Sequence, residues 1–277
     1  VLRQRVITAV VLLAVLLPAL FAASPWPFAA VTGLAIAAAA WEWARLNQAP
    51  GWAWPAALAM GLACFGARQI GWVENAPPAV WWLAVPVWVL GGAWLLHAGA
   101  AGWHRLPVTA RLALGLAVLF LGWLALASTR ADGINRLLSV FCLVWAADIA
   151  AYFAGRAFGR RKLAPTISPG KSWEGVVGGV IGVLAVAMLW LWIDRSLPVD
   201  SPSVYTLLVE RLGGFMAVLA CVFLAAMSVV GDLVESLIKR AAGAKDSSRL
   251  LPGHGGVLDR IDALLPVLPL ALALKSW

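Results

Sequence analysis

What most constrains this chain is a series of apolar stretches, each close to a bilayer's width if helical and set off from the next by Pro, Gly or a few charges. A hydrocarbon core about 30 Å thick needs roughly 20 helical residues to cross it, and helices satisfy their own backbone groups where water is absent. About nine such stretches occur, near 6–23, 26–44, 52–70, 79–96, 110–128, 134–154, 173–193, 212–234 and 261–277. They predict an all-α fold, a polytopic integral membrane helical bundle with about nine transmembrane helices. The first stretch follows Arg3 and Arg5 and is trailed by Ala22-Ala23-Ser24, in the manner of a signal peptide. A second apolar run begins almost at once, so we read the first as an uncleaved span.

Composition closes off the alternatives. With 62% hydrophobic and only 12% charged residues in 277, there is too little charge to coat a soluble exterior. A disordered chain, a nucleic-acid-binding domain as the main body and a disulfide scaffold are all excluded. Cys64, Cys142 and Cys221 lie inside apolar runs, without the short spacing of a zinc site or redox pair, and read as packing residues. Many tryptophans, among them Trp26, Trp52, Trp72 and Trp103, fall near span ends, where an aromatic belt accounts for them.

The charges are unevenly placed. If alternate connections lie on opposite sides, 15 of the 21 Lys and Arg fall on one side, including the runs Arg156 to Lys171 and Lys239 to Arg260. The positive-inside rule then puts the N-terminus and both runs in the cytoplasm and, with nine spans, the C-terminus outside. The net charge of +8 therefore reflects orientation and an anionic substrate site, with no nucleic acid. Residues 1–145 hold 3 acidic residues, Glu42, Glu74 and Asp132, against 10 in 146–277. We accordingly divide the chain into N-terminal transmembrane helices over 1–130, a lipid-facing scaffold, and a catalytic transmembrane region with cytoplasmic motif loops over 131–277. No internal repeat of the transporter kind is visible.

The densest polar stretch runs from Ser236 to Asp262. Running into it from the eighth span, Ser228, Asp232, Glu235 and Lys239 stand three or four apart, on one face if the helix continues through them. A carboxylate at the edge of a span is costly to desolvate unless paired or ion-bound, which makes Asp232 a functional candidate; a pair with Lys239 that merely finishes the helix fits the same spacing. Gly253-His254-Gly255-Gly256 offers backbone N–H groups free of side chains, suited to phosphate oxygens, with Lys245, Arg249 and Arg260 close by. Asp246, Asp259 and Asp262 in the same stretch would repel phosphates unless a divalent metal lies between, and Mg²⁺ held by one or two carboxylates plus substrate phosphates reconciles both charges. A second cluster holds Asp148, the basic run from Arg156, and Ser168-Pro169-Gly170-Lys171-Ser172-Trp173-Glu174-Gly175. Pro169-Gly170 makes a turn, Lys171 and Ser172 offer phosphate donors, and Ser172 is placed to cap the seventh span. The upstream glycine spacing of a Walker A sequence is missing.

Ser236, Lys239-Arg240, Lys245-Asp246, Pro252, His254-Gly255-Gly256 and Asp259-Arg260-Ile261-Asp262 together resemble the signature of the phosphatidate cytidylyltransferases. Asp148, Ala151-Tyr152, Gly155-Arg156, Phe158-Gly159, Ser168-Pro169, Lys171 and Trp173-Glu174-Gly175 are similar to a second segment of that family, which more often has Thr where this chain has Ser172. The two segments cover about the last 130 residues. The resemblance implies an integral inner-membrane enzyme of phospholipid biosynthesis, its site facing the cytoplasm, that joins CTP to phosphatidic acid to give CDP-diacylglycerol and pyrophosphate. It supports Asp232 and Asp259 as Mg²⁺ ligands and implies assistance by a monovalent cation such as K⁺. Asp232, Asp259, Lys239 and Arg260 are the expected catalytic set, with Ser168, Lys171, Ser172, Lys245, Arg249, His254, Gly255 and Gly256 for substrate and Asp148 a further polar member. A homodimer is suggested by the family and carried by no motif. A CTP-dependent polyprenol or lipid kinase shares the metal and nucleotide needs, and a transporter would use Asp148 and Asp232 to line a path.

Overall fold

The computed structural model describes residues 2–276, so Trp277 at the end of the ninth expected span lies outside them. Helices dominate: α1 (Leu2–Leu20), α2 (Trp26–Leu46), α3 (Ala53–Gln69), the short α4 (Trp72–Asn75) and α5 (Pro78–Trp82), a π-helical turn over Pro86–Gly91, α6 (Gly92–Arg105), α7 (Val108–Asp132) and α8 (Ile134–Phe158). A small antiparallel hairpin follows, β1 (Lys162–Ala164) paired with β2 (Ser168–Ser172), so the turn falls at Pro165-Thr166-Ile167 and the expected turn residues Pro169 and Gly170 lie within the second strand. Then come α9 (Trp173–Ser196), α10 (Val204–Leu212), α11 (Gly214–Ala241), α12 (Leu258–Ile261) and α13 (Leu264–Lys275).

Among the described residues, seven helical segments are long and apolar enough to cross a membrane, against the nine expected. The other two expected stretches form helices that are too short to qualify alone, α3 with 17 residues and α13 with 12. α13 is shortened because the chain turns at Asp262 and Ala263 between two helical pieces. The chain is a polytopic helical membrane protein that departs from all-α character, among the described residues, in this hairpin and in a single antiparallel bridge between Leu251 and Gly255. One apolar core runs through both halves, from Phe28 and Trp43 to Leu224 and Leu270.

Loops expected on one side converge on one face of the bundle. Thr8 Oγ1 donates to the Pro252 carbonyl (2.9 Å), Trp103 Nε1 to Asn47 Oδ1 (3.0 Å) and Arg240 Nε to the Ile167 carbonyl (3.5 Å), while His104 Nε2 meets the Ala241 carbonyl (3.0 Å). The opposite face has its own ties. Arg130 donates to the Leu20 and Ala22 carbonyls (2.8 and 2.7 Å), Asp200 accepts from the Ile134 and Asn135 N–H groups, and Lys275 pairs with Asp132 (2.6 Å).

The packing of α8 on α9 positions the hairpin. Gly175, Gly178, Gly179 and Gly182 on α9 face Ala146, Ala147, Ala150, Ala151 and Ala154 on α8, and small residues let the two backbones approach closely. A Cβ at Gly178 would overlap Ala154 Cβ and lie 3.2 Å from the Ala150 carbonyl. Gly178→Val is therefore expected to cost about 1–3 kcal/mol by overpacking and to lower the thermal unfolding midpoint in detergent, with partial recovery on adding Ala154→Gly. An unchanged midpoint would show that the helices can part freely.

Candidate active site

At the end of this helix pair, Ser172 accepts the Gly175 N–H (3.1 Å) and caps α9, as its position in the sequence predicts. Glu174 accepts the Arg160 and Arg161 N–H groups (3.1 and 3.2 Å), which folds the hairpin back over the helix start. Lys171 is thereby aimed across to α11, where its ammonium meets Asp232 Oδ2 at 2.5 Å, and Ser236 Oγ donates to the other carboxylate oxygen (3.1 Å). The pair sits in a cleft of about 520 Å³ that also takes in Asp148, Tyr152, Arg156, Ser168 and Ser172. Two segments of sequence separated by an entire span thus supply one polar recess at the end of the bundle.

Two turns further along α11, Lys239 forms a second cluster. Its ammonium contacts Asp259 Oδ1 (2.6 Å) and is ion-paired with Glu235. Asp259 Oδ2 accepts from the Ser247 N–H (2.9 Å), Ser247 Oγ (2.8 Å) and the Gly256 N–H (2.7 Å). Burial alone would raise the Asp259 carboxyl, but the Lys239 ammonium and the two N–H groups outweigh it and hold the carboxyl below the ordinary carboxylate range. Asp262 behaves oppositely. Burial, and then the charge of Asp232, push it up to about 7, with Asp148 adding and the Ala263 N–H and Lys239 opposing.

The glycine loop is turned differently from what a bare phosphate cradle requires. The Gly256 N–H points to Asp259, the His254 N–H to the Leu251 carbonyl (2.8 Å), and the Val257 and Leu258 N–H groups to the two oxygens of Glu42 (2.9 Å each). Gly253 and Gly255 have φ of +77° and +86°, values that side chains rarely adopt. A Cβ at Gly256 would overlap Ser247 Oγ and lie 2.5 Å from Glu42 Oε1. Glycine is needed here because the backbone closes tightly around two carboxylates.

Of the expected site residues, Asp148, Ser168, Lys171, Ser172 and Asp232 share one cleft, and Lys239 and Asp259 form the adjoining cluster. His254, Gly255 and Gly256 shape the loop, and Arg260 holds it from outside by donating to the His254 carbonyl (2.5 Å). Lys245 is exposed, and Arg249 lines a separate cleft of about 850 Å³ with Arg45, Gln48 and Trp41. Glu42 escaped the sequence reading, which assigned the chemistry to the second half. Its signal was a lone carboxylate within the apolar run 26–44. Among the described residues no group of three His, Cys, Asp or Glu side chains is disposed as a metal centre. Asp232 and Asp259, the two carboxylates expected to hold Mg²⁺, lie in the two adjoining clusters, each against a lysine ammonium, and Mg²⁺ uses few protein carboxylates and takes its other ligands from water and phosphate.

The Cytidylyltransferase family matches residues 3–276. A phosphatidate cytidylyltransferase of Pseudomonas aeruginosa is 40% identical over 282 residues, covering 99% of this chain and 96% of that protein. One from Haemophilus influenzae is 40% identical over 294 residues, covering 97% and 96%. One from Brucella suis is 43% identical over 145 residues, covering 51% of this chain and 48% of that protein.

Proposed function

The chain belongs to the cytidylyltransferase family, and from that premise we propose that the Asp232 cleft and the Lys239 cluster together form its active site. The enzyme transfers the cytidylyl group of CTP to phosphatidic acid, giving CDP-diacylglycerol and pyrophosphate for phospholipid synthesis. The observation that carries the site is the Lys171–Asp232 pair, in which both motif segments meet in an open recess at the end of the bundle.

A phosphate oxygen of phosphatidate attacks the α-phosphorus of CTP. The new P–O bond forms as the α–β bridging P–O bond breaks, and pyrophosphate leaves with that electron pair. A phosphomonoester dianion is already a competent nucleophile, so positioning and charge neutralisation do most of the catalysis. Asp232 and Asp259 would hold Mg²⁺, which when bound neutralises phosphate oxygens and stabilises the leaving pyrophosphate; K⁺ is the expected accessory ion. Each of these carboxylates now carries a lysine ammonium, Lys171 or Lys239. The two ammoniums are thus already poised where phosphates would arrive. Ser168 and Ser172 add hydroxyls at the cleft wall, Asp148 adds negative charge beside Asp232, and Lys245 and Arg249 draw anions to the same face.

We read that face as cytoplasmic, since it collects 15 of the 21 Lys and Arg and since CTP is water-soluble while phosphatidate presents its headgroup at the interface. Nine crossings follow if α3 and α13 span in company with their neighbours. The start of α13 lies against Gly231 of α11, and Lys275 at its end reaches Asp132 at the end of α7. Residues 1–130 then serve as scaffold and 131–277 as the catalytic region, in a homodimer by analogy with the family.

The test is transfer of label. CTP labelled at the α-phosphate should carry label into lipid in the presence of phosphatidate and Mg²⁺, and γ-labelled CTP should release it as pyrophosphate. Label from the γ position in lipid would instead identify a kinase.

A further inference from the structure

We infer that Glu42, on a helix of the first half, is a positioning residue of the active site, fixing the loop that presents Asp259 by gathering four of its hydrogen-bond donors onto one carboxylate. The inference rests on the reading of Asp259 as an active-site residue.

Glu42 is wholly buried, and a carboxylate taken out of water within an apolar helix is destabilising unless its oxygens are satisfied. Among the described residues it has no Lys or Arg partner, and its charge is met by the loop alone. Oε1 accepts from Ser248 Oγ (2.6 Å) and the Val257 N–H (2.9 Å); Oε2 accepts from Ser247 Oγ (3.2 Å) and the Leu258 N–H (2.9 Å). The donors come from the two ends of the segment 247–258. One side chain therefore closes that segment into a loop, and the last residue of the loop, Leu258, immediately precedes Asp259. α2 is itself anchored beside Glu42, since Trp43 Nε1 donates to the Arg111 carbonyl (3.0 Å). The loop thus takes its position from the scaffold helices and not only from its own glycines.

Ser247 links the two carboxylates. Its hydroxyl lies 2.8 Å from Asp259 Oδ2 and 3.2 Å from Glu42 Oε2. It has one proton for two acceptors. Whenever Asp259 is engaged elsewhere, the hydroxyl can turn to Glu42 without the loop moving. Glu42 in this sense keeps the loop in place while Asp259 changes partners.

The symmetry of the contacts makes Glu42→Gln informative. Each carboxylate oxygen receives one backbone N–H. Whichever way the amide is turned, its NH₂ must face either the Val257 or the Leu258 N–H, and that donor is left unmet in a buried site. The experiment uses the full chain in lipid nanodiscs and compares the parent with Glu42→Gln, Glu42→Asp and Ser248→Ala by amide hydrogen exchange and by steady-state kinetics. Glu42→Gln should speed exchange at Val257 and Leu258 while leaving α8 and α9 protected, and should lower kcat roughly tenfold to a hundredfold, the scale of a lost charge-assisted hydrogen bond. The KM for phosphatidate should move by less than about twofold, as for a group that acts on the transition-state geometry and not on substrate binding. Ser248→Ala, which removes one donor of the four, and Glu42→Asp, which keeps both oxygens, should fall between the parent and Glu42→Gln in both readouts. Unchanged exchange at 257–258, an unchanged kcat, or exchange raised equally throughout the helices would overturn the inference. The exchange arm needs no turnover. An error in the assigned reaction would appear as an inactive parent with the exchange pattern intact, whereas an error here would appear as silent variants of an active parent.

Discussion

Asp232→Asn is expected to leave a folded, membrane-inserted enzyme whose turnover falls by at least about a hundredfold, the usual scale when a preorganised electrostatic group is removed from an active site. The substitution keeps the size of the side chain and an oxygen for Ser236. It removes the charge facing Lys171, but both partners are partly exposed, with 24% and 29% of their side chains accessible. Exposed ion pairs contribute little to stability, so the fold should survive. Two explanations of the lost activity then have to be separated. If Asp232 only holds Lys171 in place, Lys171→Met should match Asp232→Asn and the double variant should be no worse than either. If Asp232 binds Mg²⁺, only Asp232→Asn should raise the Mg²⁺ concentration needed for half-maximal rate, and Lys171→Met should act chiefly on the KM for substrate. Near-normal formation of CDP-diacylglycerol by Asp232→Asn would reject both.

The apolar spans were legible because in lipid a run of about 20 apolar residues has few structural options. The one-sided charge, the Ser172 cap and the meeting of the Asp148, Lys171 and Asp232 segments were legible for similar reasons, since each depends on local spacing or on which side a loop lies. Other features depend on partners remote in the chain. Glu42 reads locally as a misplaced acid, and only its partners more than 200 residues away explain it. Glycines at 253, 255 and 256 revealed the lack of side chains but not the direction of the N–H groups, which is set by Asp259 and Glu42. The strand character of Lys162–Ala164 and Ser168–Ser172 was likewise hidden, because Ser-Pro-Gly-Lys-Ser has little strand preference. It pairs because Arg161 and Trp173 are drawn together where α8 meets α9, through the hydrogen bond from the Trp173 N–H to the Arg161 carbonyl (2.9 Å).

Lys239→Met should be the most damaging change at the site, because one ammonium serves two carboxylates that have almost no water of their own. The side chains of Glu235 and Asp259 are each 6% accessible, and that of Lys239 is 12% accessible. Removing one member of a buried pair leaves an uncompensated charge and costs about 3–5 kcal/mol. Here two acids lose the same partner. The variant should unfold at a markedly lower temperature in detergent and show no turnover. Glu235→Gln in the same chain removes one of the stranded charges, while Asp259 keeps its contacts with Ser247 and Gly256. Lys239→Met/Glu235→Gln should therefore regain much of the lost stability and none of the activity, since the ammonium that would meet a substrate phosphate is still missing. This separation is what distinguishes a lysine with a chemical task from one that only neutralises its surroundings. If the double variant recovered turnover along with stability, Lys239 would be a structural counter-ion alone. If Lys239→Met were as stable as the parent, the two acids would have been neutralised by protons in place of the ammonium, and Lys239 would not be needed to hold the cluster together.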